Sequence, residues 1–282
     1  MAKSNIRILI ATHKPYAMPR SGIYLPIQVG KKQAKSQISN FIGDDTGDNI
    51  SAKNPVFCEL TALYWAWKNL DVKYIGLAHY RRHFKGPKGH KGNDVAVSTD
   101  IQDIDTATKA IPKLQKALSQ TAAGGILQST DVILPKKRNY YIENLYDHYC
   151  RTMNPEPLIK VRKIIAQQCP DYLAEFDLLK HRRSAHTFNM LIMKKDILDD
   201  YCAWLFPILF ELEKQINTED WSDFQKRYAG RVSERLLDVW INTNHIPYQE
   251  LPVIDIEPVN WLKKGTGFLK AKFFGRQYEK SW

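Results

Sequence analysis

The sequence predicts an α/β fold in which a buried, largely parallel sheet carries helices on both faces. Two observations point to it. Short apolar runs at Ile6–Ala11, YIGLAH (74–79) and DVILP (131–135) do not alternate with polar residues, as strands covered on both faces do not. Between them lie longer segments with apolar residues at helical spacing, such as the stripe Leu60, Leu63, Tyr64 and Trp67.

Ile6–Ala11 is the expected first strand. The stretch from about Met18 to Asn54 is polar and reads as a loop. Asn54 and Pro55 supply an N-cap and a favoured first helical residue, so a helix is expected from Pro55 to about Asn69. A short turn at Asp71 and Lys73 leads into the strand YIGLAH, and the Gly- and Lys-rich KGPKGHKGND (85–94) reads as a mobile loop. DVILP is the next strand, followed by helices around Tyr141–Met153 and Glu156–Gln168 and another after Pro170. Then come the strand FNMLIM (188–193), a helix from about Asp196 to Gln215, the helix RVSERLLDVWIN (231–242) and the strand with its turn HIPYQELPVID (245–255). The final third is helix-rich.

With 282 residues and 44% hydrophobic content the chain can bury a full core. We expect one domain over 1–258 and a tail over 259–282. The formal charge of +11 favours anionic partners such as nucleotides, lipid headgroups or nucleic acid. Cys58, Cys150, Cys169 and Cys202 are widely spaced with no metal-ligand pattern, as expected of free thiols in a reducing cytosol. The N-terminal apolar run is too short for a secretory signal, and Pro207 and two glutamates interrupt the apolar stretch after Tyr201. A cytoplasmic protein is expected.

Four segments could carry chemistry. His79, Arg81 and Arg82 lie in HYRRHF, where a buried strand ends; ligands of open α/β sheets bind at that edge, and guanidinium forks suit phosphate oxygens. A solvated basic turn is the plainer alternative. Thr12, His13 and Lys14 end the first strand, at the crossing that commonly touches a nucleotide. In DDTGDNIS, Asp45, Asn49 and Ser51 offer oxygen and amide groups for a ribose or sugar, although an Asx-rich turn would look the same. His186 and Asn189 enter a strand, and Glu234 lies in Ser233-Glu234-Arg235, expected near the start of a later helix. No EF-hand, HxxEH or two-metal spacing is present, and no metal ligands are assigned.

Taken in order, GDNISAKNPVFCELTALYWAWKN, YIGLAHYRRHF, DVILPKKRNYYIENLYDHY, HTFNMLIMKKDILDDYCAWLF and RVSERLLDVW resemble the domain-of-unknown-function 4422 family, found among capsular and exopolysaccharide glycosyltransferases. The resemblance covers nearly the whole chain. It implies a GT-A-like fold, with a Rossmann-like nucleotide half over about 1–135 and an acceptor half over about 136–258. It also implies a UDP-sugar donor and hexosyl transfer, galactosyl or galactofuranosyl among the options, to a growing and lipid-linked surface polysaccharide.

That resemblance sets His13 and Lys14 in the nucleotide-facing first loop and His79, Arg81 and Arg82 at the diphosphate; together with Thr12, Asp45, Asn49 and Ser51, read from their own segments, they are expected to bind the donor. His186 and Asn189 would touch acceptor or donor sugar, and Glu234 would be the base of an inverting transfer, an ordinary ion-paired helical glutamate being the alternative. The family's fold commonly places a DxD metal motif where this chain reads AHYRRHF. Cationic side chains there would stabilise the departing UDP without metal or other cofactor, a metal ion held by Asp44, Asp45 or Asp48 being the alternative. The tail interleaves Lys263, Lys264, Lys270, Lys272, Arg276 and Lys280 with six aromatic residues, a pattern suited to an anionic membrane surface and equally to a groove on the domain. The competing function is nucleic-acid binding through the same basic and aromatic residues, but the aromatics cluster inside helices and no nucleic-acid signature is present. A phosphate-ester hydrolase lacks the spacing it would need.

Overall fold

In each central strand, successive side chains enter two different cores. Leu9 and Ala11 face one core and Ile6, Ile8 and Ile10 the other; Ile75 and Leu77 oppose Tyr74 and Ala78, and Leu191 and Met193 oppose Met190 and Ile192. A sheet buried on both faces follows from this period of two. The computed structural model describes residues 5–89, 92–98, 100–101 and 104–257. The basic aromatic tail and part of the Gly- and Lys-rich loop lie outside them.

The first part of the chain forms β1 (Ile6–Thr12), β2 (Met18–Arg20), β3 (Tyr24–Gln28), β4 (Ile42–Gly43), α1 (Asn54–Phe57), α2 (Leu60–Asn69), β5 (Tyr74–His79), β6 (Arg82–Phe84) and β7 (Asp94–Ala96). The middle forms α3 (Ile104–Leu114), α4 (Gln120–Ile126), β8 (Val132–Pro135), β9 (Arg138–Asn139), α5 (Leu145–Thr152), α6 (Glu156–Gln168) and α7 (Leu173–Asp177). The last part forms β10 (Ser184–Ala185), β11 (Leu191–Lys194), α8 (Lys195–Gln215), α9 (Tyr228–Thr243), β12 (Gln249–Leu251) and β13 (Val253–Asp255). The main sheet runs β12-β8-β11-β5-β1-β3-β4, with β6 and β13 added beside β5. β1 is parallel to both β3 and β5, and β11 is antiparallel to its neighbours β5 and β8. Helices α2, α6, α8 and α9 cover one face and α3 and α4 the other. The α/β class and the central, mostly parallel sheet agree with the expectation.

Two expectations are corrected. The stretch from Met18 to Asn54 is not a loop: β3 pairs with β1 through five registered positions, Tyr24 to Gln28, with β4 beyond it. Pro26 breaks the apolar pattern there, and β3 tolerates it because of its place near the sheet edge. The helix expected from Pro55 is also broken. Cys58 takes φ 53°, and its carbonyl accepts from Asn54 Nδ2 at 2.8 Å and Thr61 Oγ1 at 3.1 Å. Asn54 therefore serves the break and not the helix start, and the chain restarts as α2 with Glu59 at its head.

Gly230 is where α9 meets this break. A Cβ there would lie 3.1 Å from Cys58 Cβ, 3.2 Å from its Sγ and 3.3 Å from the Phe57 carbonyl oxygen. Gly230→Ala gains about 1 kcal/mol of helix propensity but overpacks at a cost of about 1–3 kcal/mol. The neighbours are backbone and a residue already at positive φ, so they yield little. We expect a net loss of stability on urea unfolding; an unchanged midpoint would show that the two helices can part.

Candidate functional site

At the carboxyl ends of β1 and β5, which lie side by side through Ala11 and His79, the surface opens into a cavity of about 270 Å³. Thr12 and His13 close β1, His79 closes β5, Asn54, Cys58 and Glu59 come from the helix break, and Asp223, Lys226 and Arg227 from the segment leading into α9. Four separate parts of the chain thus converge on the edge where open α/β sheets bind ligands.

Three of the expected donor-binding residues line this cavity: Thr12, His13 and His79. Thr12 is buried, and its hydroxyl closes the turn by hydrogen bonds with the Lys14 backbone. His79 is pushed well below the ordinary histidine pKa by burial, and by the adjacent Arg81 and Arg82 cations. It is therefore neutral. The Arg81 backbone N–H donates to His79 Nδ1 at 3.3 Å, which leaves the ring proton on Nε2 and makes that nitrogen a donor.

Lys14, Arg81 and Arg82 stand beside the cavity and are held by acids at the end of the described chain. Glu257 lies 3.8 Å from Lys14 and 3.4 Å from Arg81, and Arg82 pairs with Asp255 at 3.0 Å. The β6–β13 register sets Arg82 opposite Asp255. Tyr80 anchors the group, with His13, Tyr16 and His79 packed on it and the Lys14 and Arg81 cations each 5.3 Å from its ring centre.

Asp45, Asn49 and Ser51 are elsewhere. Buried Asp44 accepts from the Gly30 and Lys31 backbone N–H groups and from the Ser51 hydroxyl; Asn49 donates to the Gly47 carbonyl and accepts from the Ser51 N–H; and Asp45 pairs with Lys31 at 3.8 Å. These bonds tie the loop after β4 to the end of β3. His186 is not on the cavity wall either. It is wholly buried, with Nδ1 on Asp238 and Nε2 3.1 Å from Glu250.

Asn189 and Glu234 lie behind the cavity. Phe188 and Asn189 take φ 72° and 53°, an unfavourable pair for non-glycine residues. That turn aims Asn189 Nδ2 at Glu59 Oε1, 2.8 Å away, and at the Gly230 carbonyl, 3.0 Å away. Glu234 sits in the middle of α9 and not near its start, with Arg231 at 3.1 Å and Arg235 at 4.0 Å.

Sequence reasoning missed Glu59 and Arg227. Burial, and then the nearby Glu234 carboxylate, push the Glu59 carboxyl above the ordinary range. Arg227 donates from Nε to Cys58 Sγ at 3.2 Å. Arg227, Arg231 and Arg235 follow at four-residue spacing on one face of the α9 segment, a helical signal the sequence does contain. Further along that face the Nε and Nη1 of buried Arg235 make no hydrogen bond among the described residues. Burial, with Arg235, Arg138, Arg231 and Arg151, lowers His148 to about 3. No cluster of three or more His, Cys, Asp or Glu side chains among the described residues is placed to hold a metal ion.

No curated protein matches the chain. The apo structure of the bifunctional glycosyltransferase WbbM is similar to it, with 29% identity and a TM-score of 0.75 over 90% of this chain and 45% of that one. The chain thus spans less than half the length of that protein. Among the described residues no helix is long and apolar enough to cross a membrane. A family model described as a domain of unknown function, DUF4422, matches residues 7–245, and the chain belongs to that family.

Proposed function

We propose that the protein is a glycosyltransferase that moves a hexosyl group, galactosyl or galactofuranosyl in type, from a UDP-sugar to a growing, lipid-linked surface polysaccharide. The observation that carries this reading is the cavity at the β1 and β5 ends, where a neutral histidine donor and several cations converge in a fold similar to that of a glycosyltransferase. In this reading His79 Nε2–H and the Arg227 and Arg81 guanidiniums face the donor diphosphate, and Thr12 and His13 flank the nucleotide. They stabilise the negative charge that grows on departing UDP, the electrostatic task often given to a metal. The transfer is proposed to invert the anomeric centre and to proceed without metal. The enzyme would work at the inner face of the cell membrane, with residues 259–282 touching anionic lipid.

Calorimetric titration with UDP, first in EDTA and then with manganese, tests this. Binding in EDTA is expected, whereas binding only with manganese would move the diphosphate to acidic ligands. Arg227→Ala and Arg81→Ala should each weaken UDP by about 1.5–3 kcal/mol, the value of a hydrogen bond to a charged group. Unchanged UDP affinity in both variants would remove the cationic site.

A further inference from the structure

We propose that Glu59 is the carboxylate that takes the proton from the acceptor hydroxyl, with Asn189 as its positioning residue. The inference rests on the glycosyltransferase reading above and assigns the base within it.

The cavity wall holds two carboxylates, Glu59 and Asp223. Asp223 is exposed, whereas Glu59 is partly buried and shares the wall with His79 and Arg227. Among the described residues no cation lies within ion-pair distance of Glu59, while Glu234 is held by Arg231 at 3.1 Å and is not on the wall. A half-buried carboxylate without a cationic partner is costly, and here backbone strain is spent on keeping it in place. Cys58, immediately before Glu59, has φ 53°; Phe188 and Asn189 also take positive φ, and the resulting turn brings the Asn189 amide onto Glu59 Oε1 at 2.8 Å. One oxygen is thus fixed by a neutral donor, whose hydrogen bond lowers the basicity of the group by less than burial and Glu234 raise it. Burial and the Glu234 charge raise its proton affinity, as a general base requires.

The step balances. An acceptor O–H gives its proton to a Glu59 oxygen as the hydroxyl oxygen bonds to the anomeric carbon. The bond from that carbon to the diphosphate oxygen breaks, with the electron pair leaving on UDP opposite the His79 and Arg227 donors. Glu59 then returns the proton to water.

The test measures UDP release from a panel of UDP-hexoses with a lipid-aglycone hexoside as acceptor, together with UDP affinity. Glu59→Gln should lower kcat by about 100-fold or more, the usual contribution of a general base, with UDP affinity unchanged, which also reports that the variant is folded. Glu59→Asp should recover part of the rate. Glu234→Gln should stay active, with the acid limb of its kcat/KM profile moved to lower pH because a negative neighbour is gone. Asn189→Ala should lower kcat and leave UDP affinity intact. A Glu59→Gln variant that transfers at the wild-type rate, or an Asp223→Asn or Glu234→Gln variant that loses transfer while Glu59→Gln keeps it, overturns the assignment. Failure of the wild-type chain to bind UDP would instead remove the glycosyltransferase reading, and this inference with it.

Discussion

Replacing His186 with alanine should destabilise the fold by about 3–5 kcal/mol, the cost of stripping the partner from a buried charge, while UDP affinity stays as it was. The imidazole lies between two carboxylates, with Asp238 on Nδ1 and Glu250 Oε1 3.1 Å from Nε2. Asp238 is 4% exposed, and without the ring it keeps, among the described residues, only the His186 backbone N–H, 3.0 Å from its second oxygen. The lost contact with Tyr248, whose ring centre is 5.0 Å away, adds a cavity. The three residues join the segment just after β10 to α9 and β12, so the effect is on the whole domain. Urea unfolding at neutral pH measures it. Adding Asp238→Asn should return part of the loss, because the uncompensated charge is then gone. A stable His186→Ala variant with impaired transfer would return His186 to the sugar-contact role that its sequence position suggests.

That residue shows where sequence reasoning stops. Asp238 and Glu250 lie 52 and 64 positions away from His186, and no local pattern links them. Glu59 was hidden for a related reason: in CELTALYWAWKN it occupies a place that reads as the polar face of an amphipathic helix, and only the break at Cys58 turns it to the cavity. By contrast β1, β5 and β8 were legible because burial on both faces demands uninterrupted apolar runs, and His79 was legible because the end of such a run is where this architecture opens. Strand β3 was lost because Pro26 interrupts its apolar pattern. Asp45, Asn49 and Ser51 have a composition that suits a sugar site and a hydrogen-bonded turn equally. Their partners, Lys31, Gly47 and Asp44, decide between the two roles.

Stability should fall as the pH drops from about 6.5 toward 4, and buried neutral histidines set the window. His83 is wholly buried; burial lowers its pKa from 6.5 to about 4, and its one polar contact among the described residues is the Tyr80 carbonyl oxygen at 3.4 Å. The unfolded chain binds a proton at this residue near pH 6.5, and the folded chain does not until near pH 4. Between those values the unfolded state holds more protons, so acid favours unfolding; above about pH 6.5 both states are neutral and the slope vanishes. The displacement from 6.5 to about 4 corresponds to about 3 kcal/mol for His83 alone. His148, lowered to about 3 by burial and then by Arg235, Arg138 and Arg231, acts in the same direction, as does His79. Urea midpoints between pH 7.5 and 4.5 should therefore fall in the wild type. In His83→Gln, whose amide can still donate to the Tyr80 carbonyl, the fall should be shallower by the share His83 contributes. Identical pH slopes in the two proteins would show that His83 takes up its proton without unfolding, through an opening of β6 and β13 that exposes the ring to water.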